Sequence, residues 1–216
     1  MIVSGYTVSL LYAAACILIA VFVGKFGVPK QYTRKIVHIL VGFEWVILTH
    51  FFGAGSVHFL AVCLICLTLL FAEYKLKLLP AISSESDNAP GTVYYAAAMS
   101  VMALITVFVP NMIYPFGIGV FCTSFGDGFA AIVGRLIRKH NPKIFGNKTL
   151  FGAITNFVVS FFVPLCFSLI FNLPLSIYHC LLIAAVSCVL EIFSTRGLDN
   201  VFITLGTAFI SYVFIY

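Results

Sequence analysis

Eight apolar runs, at about 4–24, 36–52, 56–72, 92–109, 115–134, 149–171, 177–193 and 200–216, divide this chain, and its basic residues fall only in alternate gaps between them. Lys25, Lys30, Arg34 and Lys35 border the first gap, and Lys75 and Lys77 the third. Arg135, Arg138, Lys139, Lys143 and Lys148 fill the fifth, and Arg196 the seventh. The even gaps, such as "GAG" at 53–55 and "NLP" at 172–174, carry none. A helix of about 17 to 25 apolar residues crosses a hydrocarbon core of roughly 30 Å, and Lys and Arg are retained on the cytoplasmic side. The expectation is an all-α, polytopic helical membrane protein with eight transmembrane helices, both termini outside and the odd loops in the cytoplasm.

Composition excludes the soluble alternative. The 216 residues are 62% hydrophobic and 9% charged, with a mean hydropathy of +1.13, whereas a soluble domain must cover itself with polar groups. Residues 1–216 are expected to form a single transmembrane catalytic domain. The N-terminal stretch lacks a basic n-region, and its apolar run is too long for a signal peptide, so it reads as the first span. All seven cysteines sit in apolar runs and read as small hydrophobes. Cys63 and Cys66 form a C-x-x-C, but in mid-span and without a βαβ context.

Ionisable groups inside a membrane are costly, so each marks a functional candidate. In "YTRKIVHILVG" (32–42), Arg34 and His38 share a helix face at the cytoplasmic mouth of the second run, beside Lys35. In "CTSFGDGFAAIVGRLIRKH" (122–140), Ser124, Asp127, Ala131, Gly134 and Arg138 follow one helical stripe, with Gly126 and Gly128 flanking the aspartate. A helix break at these glycines would leave free N–H groups near Asp127, a setting suited to phosphate. In "KIFGNKTLFGAITN" (143–156), Lys148, Gly152 and Asn156 repeat every fourth residue. "GNKT" lacks P-loop spacing and follows no strand. In "LEIFSTRGLDN" (190–200), Glu191, Thr195 and Asp199 repeat every fourth residue beside Asn200, an oxygen-rich group of the kind Mg²⁺ prefers.

Elsewhere plainer roles suffice. Glu85 and Asp87 lie in a polar loop, 83–91, and face water; Glu73 caps the end of the third run; His50, His58 and His179 have no metal-ligand spacing. Glu44 is buried in the second run and needs a partner. The four clusters share the cytoplasmic side, where nucleotides are. Carboxylates for Mg²⁺ with Lys and Arg for phosphates are the parts phosphoryl transfer needs.

The chain resembles the CTP-dependent polyprenol and lipid kinases: dolichol kinase, phytol kinase and the CTP-dependent diacylglycerol kinase, relatives of phosphatidate cytidylyltransferase. The matching pieces are "RKIVHI" (34–39), "GTVYY" (91–95), "FGDGFAAIVGR" (125–135), "NKTLFG" (147–152) and "GLDN" (197–200), with Glu191 upstream. The resemblance implies a multi-span enzyme that moves the γ-phosphate of CTP to a lipid alcohol with Mg²⁺ as cofactor. It implies Asp127, Lys148 and His38 as catalytic residues, and Arg34, Lys35, Arg135, Asn147, Lys148, Thr149 and Asn200 on the nucleotide. Asp127, Glu191 and Asp199 would serve the metal. Thr149 stands where the family more often has serine and keeps the hydroxyl. The implied partners are CTP, a lipid alcohol and membrane lipid, without nucleic acid; a homodimer is compatible.

Two alternatives stay open. A cytidylyltransferase would use CTP and Mg²⁺ to make a CDP-activated lipid, but its C-terminal K-D-x-G-type signature and His-Gly-Gly run are missing. A small-molecule transporter would place its polar residues near the midplane between inverted repeats, whereas here they gather on one side and no repeat is found.

Overall fold

The structure, a computed structural model, describes residues 2–77, 90–137 and 140–216. Each of the eight apolar runs is helical. Among the described residues, six helices are long and apolar enough to cross a membrane, including Lys30–Phe52 and Pro110–Leu136 counted as continuous spans. The last two, Ile177–Phe193 and Asp199–Ile215, are apolar and shorter, at 17 residues each. This is a helical membrane protein. The loop carrying Glu85 and Asp87 lies outside the described residues, as does Arg138.

The chain divides into two compact units, residues 1–113 and 114–216. The first contains α1 (Ile2–Lys25), α2 (Lys30–Val41), α3 (Glu44–Phe52), α4 (Val57–Leu76) and α5 (Gly91–Phe108). Here α1 packs on α2 and α3, and α4 on α5. The second run is divided between α2 and α3 at Gly42 and Phe43, which keep right-handed helical dihedrals but bond to the third residue back rather than the fourth, so the span stays continuous. Buried Glu44 finds its partner on α1, where the Ser9 hydroxyl donates to Glu44 Oε1. Glu73 is buried in the last turn of α4, where its carbonyl accepts from Lys77 N at 2.7 Å. Tyr6 and His58 are hydrogen-bonded at 3.1 Å, which gives that histidine a structural role.

The second unit contains α6 (Ile113–Phe121), a π-helical turn (Cys122–Asp127), α7 (Gly128–Leu136), β1 (Lys143–Phe145), β2 (Lys148–Thr149), α8 (Leu150–Phe171), α9 (Ile177–Phe193) and α10 (Asp199–Ile215). β1 and β2 pair antiparallel, with Lys143 opposite Thr149 and Phe145 opposite Lys148. Helix α8 packs on α7 and α9, and α9 on α10; the π turn touches α8, α9 and α10. Pro164 lies inside α8. It has no N–H to give the Ser160 carbonyl one turn earlier, and Cys122 Sγ stands 3.9 Å from that oxygen. His179 closes a capping box with Ser176 at the start of α9 and stacks on Phe214. It too is structural.

Candidate active site

The expected helix break at Asp127 does not occur. The helix widens into one π turn over Cys122–Asp127 and runs on into α7, with Asp127 and Gly128 both in right-handed helical conformation. No helix N-terminus is freed there, so the expected anion site of bare N–H groups is absent. Close packing supplies the physical reason. A Cβ on Gly126 would lie 2.5 Å from Ser160 Oγ and 3.2 Å from Asn156 Nδ2 on α8. Only glycine allows that approach, and an inserted residue swings the following side chain to a new face. π turns of this kind are frequent at functional sites. Asp127 ends up buried, 1% exposed.

Lys148 comes to it from the hairpin. It precedes α8 and therefore does not share a helical face with Gly152 and Asn156, as the four-residue repeat suggests. Asn141 aims the hairpin: its Nδ2 donates to Gly134 O at the end of α7, and its Oδ1 accepts from Phe151 N at the start of α8, both at 3.0 Å. Leu150 N donates to Pro142 O at 2.9 Å. Sequence reasoning passed over Asn141; an asparagine before proline signals a turn, and here that turn sets the lysine's direction.

Three carboxylates converge on the Lys148 ammonium: Glu191 Oε1 at 2.6 Å, Asp199 Oδ2 at 3.0 Å and Asp127 Oδ1 at 3.8 Å. Burial alone would lower the Lys148 pKa, yet Asp127, Asp199 and Glu191 together raise it above the ordinary lysine value. The group is charged at neutral pH.

Glu191 and Asp199 do not meet through a four-residue repeat along one helix. Helix α9 ends at Phe193, and Thr195 lies beyond it, exposed. The chain then reverses through Arg196 and Gly197, whose φ values of +56° and +85° lie in the left-handed region. That turn folds the start of α10 back toward Glu191. Asp199 Oδ1 accepts from Asn200 N at 3.1 Å. Asn200 is itself buried, and its carbonyl accepts from Thr204 Oγ1, which meets the Thr123 hydroxyl in the π turn.

Behind Asp127 lies a buried polar cluster on α8 and α9. Ser187 Oγ donates to Asn156 Oδ1 at 2.9 Å, and the Ser160 and Ser187 hydroxyls are 2.9 Å apart. The remaining expected residues of this unit are spread around the site. Asn147 is exposed and Arg135 half-buried. Thr149 Oγ1 sits against Gly134 and Gly152, where added Cβ atoms would meet it at 2.7 and 3.0 Å. Arg34, Lys35 and His38 belong to the first unit. There Arg34 and His38 share a face of α2, and the His38 ring packs edge-on against Tyr95 at 4.8 Å.

The donor set near Lys148 is all oxygen, as a hard cation requires. Glu191 Oε2 is buried without a hydrogen-bond partner, an acceptor that a cation would satisfy. Among the described residues, no three His, Cys, Asp or Glu are placed to close on one ion; the ammonium occupies the point of convergence. The residues fit Mg²⁺ in chemistry, with the lysine held where a cation would compete.

Comparison with known proteins gives the family. The chain is 30% identical over 212 residues to the phytol kinase of Synechocystis sp., covering 93% of this chain and 87% of that protein. It belongs to the family of polyprenol and lipid kinases that includes phytol kinase. No family model and no solved structure matches it. The chain is accordingly a membrane lipid kinase, and Asp127, Lys148, Glu191 and Asp199 are the charged cluster of this family member's second unit.

Proposed function

We propose that this kinase transfers the γ-phosphate of CTP to the hydroxyl of an isoprenoid lipid alcohol of the phytol type, at the cytoplasmic face. The observation that carries the reading is the convergence of Asp127, Glu191 and Asp199 on Lys148 in a largely buried setting. The kinship to a phytol kinase supports the acceptor class, and the lack of a P-loop supports a donor site unlike that of common ATP-binding kinases.

On this reading Lys148 leaves its carboxylates for the donor's phosphates and stabilises charge on the transferring group. Asp127, Glu191 and Asp199 are the residues that would hold Mg²⁺, whose charge, when it is bound, neutralises the phosphate oxygens. Asn147 and Arg135 reach the nucleotide from the loop side, and Asn141 fixes the hairpin through which Lys148 is delivered. Eight spans with both termini outside follow from the one-sided distribution of Lys and Arg.

The test is purified protein in lipid nanodiscs with a panel of lipid alcohols and CTP labelled at either the γ- or the α-phosphorus. The reading predicts label in the lipid from γ-labelled CTP only, with release of CDP, and poorer turnover with ATP. Label arriving from the α-phosphorus would instead mean cytidylyl transfer, and ATP matching CTP would overturn the donor assignment.

A further inference from the structure

A cavity of about 250 Å³ lies inside the first unit, walled by α1 to α5. Its lining is apolar over most of its extent, and three small residues, Ala13, Ala14 and Ala96, leave the room. Its polar side chains fall at two positions along the span. Thr92 lies where α5 begins and Arg34 in the first half of α2, next to the basic loops, with His38 one turn further along the same face of α2. Glu44 lies nearly two turns beyond His38 along the same span. Its Oε1 accepts from Ser9, while its buried Oε2 has no hydrogen-bond partner. A carboxyl group thus stands along the apolar stretch, and Leu48 lines the cavity one turn further on. On the α1 side the wall is open, since Leu10 is 39% exposed and Ala14 is exposed.

An apolar hole of about 150 Å³ stays dry and takes benzene, six carbons. In proportion, 250 Å³ takes about ten carbons, or two isoprene units. In a bilayer the material at hand is lipid. We infer that this cavity holds the first two isoprene units of a lipid alcohol, with its hydroxyl end at Arg34, His38 and Thr92. This rests on the lipid-alcohol kinase reading and adds where the acceptor is held and how much of it is recognised. Carbons beyond the second unit leave past Leu10 and Ala14 into the surrounding lipid. The bilayer is as apolar as the cavity, so burial itself drives little binding. Selection rests on the fit of branched methyls against the alanines and on the hydroxyl's polar partners.

The experiment uses the full chain in phosphatidylcholine nanodiscs and a geranylgeraniol analogue carrying a diazirine on its second isoprene unit. The expected result is labelling of cavity residues on α1 and α5, competed by geranylgeraniol and not by an alkane of equal length. Ala96→Phe fills the hole and should cut labelling at least about tenfold, the scale of an overpacking penalty. Ala14→Phe, on the open side of α1, adds bulk without crowding the core and should do the same with an unchanged melting temperature. In the kinase assay both variants should raise KM for the alcohol and leave KM for CTP unchanged. Labelling confined to residues outside the cavity, or competed equally by the alkane, would overturn the inference even if the protein phosphorylates prenols. Cavity labelling in a protein without kinase turnover would sustain the site and overturn the kinase reading alone.

Discussion

Lys148 and Asp127 have unequal shares in the charged cluster, and the distances say how. Asp127 is the most distant of the three carboxylates on the ammonium, so losing its charge leaves Lys148 with two nearer partners. Losing the ammonium instead leaves three carboxylates facing one another. Lys148→Met should therefore lower stability by about 3 to 5 kcal/mol, the cost of stranding buried charge, read as a lower melting temperature in detergent. Adding Asp127→Asn to that variant should restore part of the loss, a coupling that a double-mutant cycle measures. The pH dependence has a definite sign. The folded-state pKa of Lys148 is raised above the ordinary 10.5, so its contribution is whole below that value and fades only as pH rises through the folded value. The gap in melting temperature between wild type and Lys148→Met should not close from about pH 7 to about pH 9, because carboxylates stranded together in the variant can only widen it as they ionise. A gap that closes within that window would mean the ammonium is not held by the carboxylates.

Elements decide what a sequence pattern can disclose. The helical segments were legible because twenty-residue apolar runs leave few alternatives, and α9 begins and ends where its run does. The charged cluster was legible as a set of residues, because buried ionisable groups stand out in such a chain. Its construction was not. The π turn depends on Gly126 meeting Ser160 and Asn156 some thirty residues later, a contact no local pattern carries. The β1–β2 hairpin has strands of three and two residues, too short for any periodicity. The four-residue spacing of Glu191, Thr195 and Asp199 suggested one helical face, whereas Arg196 and Gly197 reverse the chain between them. The same close packing makes a prediction at this scale. Gly126→Ala puts a methyl 2.5 Å from Ser160 Oγ, and should cost about 1 to 3 kcal/mol of stability. Ser160→Ala in the same chain should relieve part of that cost. A Gly126→Ala protein that melts like wild type would show that the π turn does not need this contact.

At the scale of the whole molecule, the account rests on a membrane orientation and on one reaction. The basic residues all adjoin odd-numbered loops, so those loops should be cytoplasmic. A cysteine placed at position 140, by His140→Cys in a background cleared of reactive thiols, should resist a membrane-impermeant maleimide in intact cells and react in inverted vesicles. Labelling in intact cells would reverse the topology. The central claim, that the Asp127–Lys148 cluster carries out phosphoryl transfer from CTP to a lipid alcohol, is tested most directly by Asp127→Asn. The substitution keeps size and removes charge from a residue 1% exposed. The measurement is transfer of γ-label from CTP to a prenol, taken alongside the melting temperature. Loss of a transition-state interaction of about 3 to 4 kcal/mol predicts a rate lower by about 10² to 10³, with melting little changed. Near-normal transfer by Asp127→Asn would contradict the account.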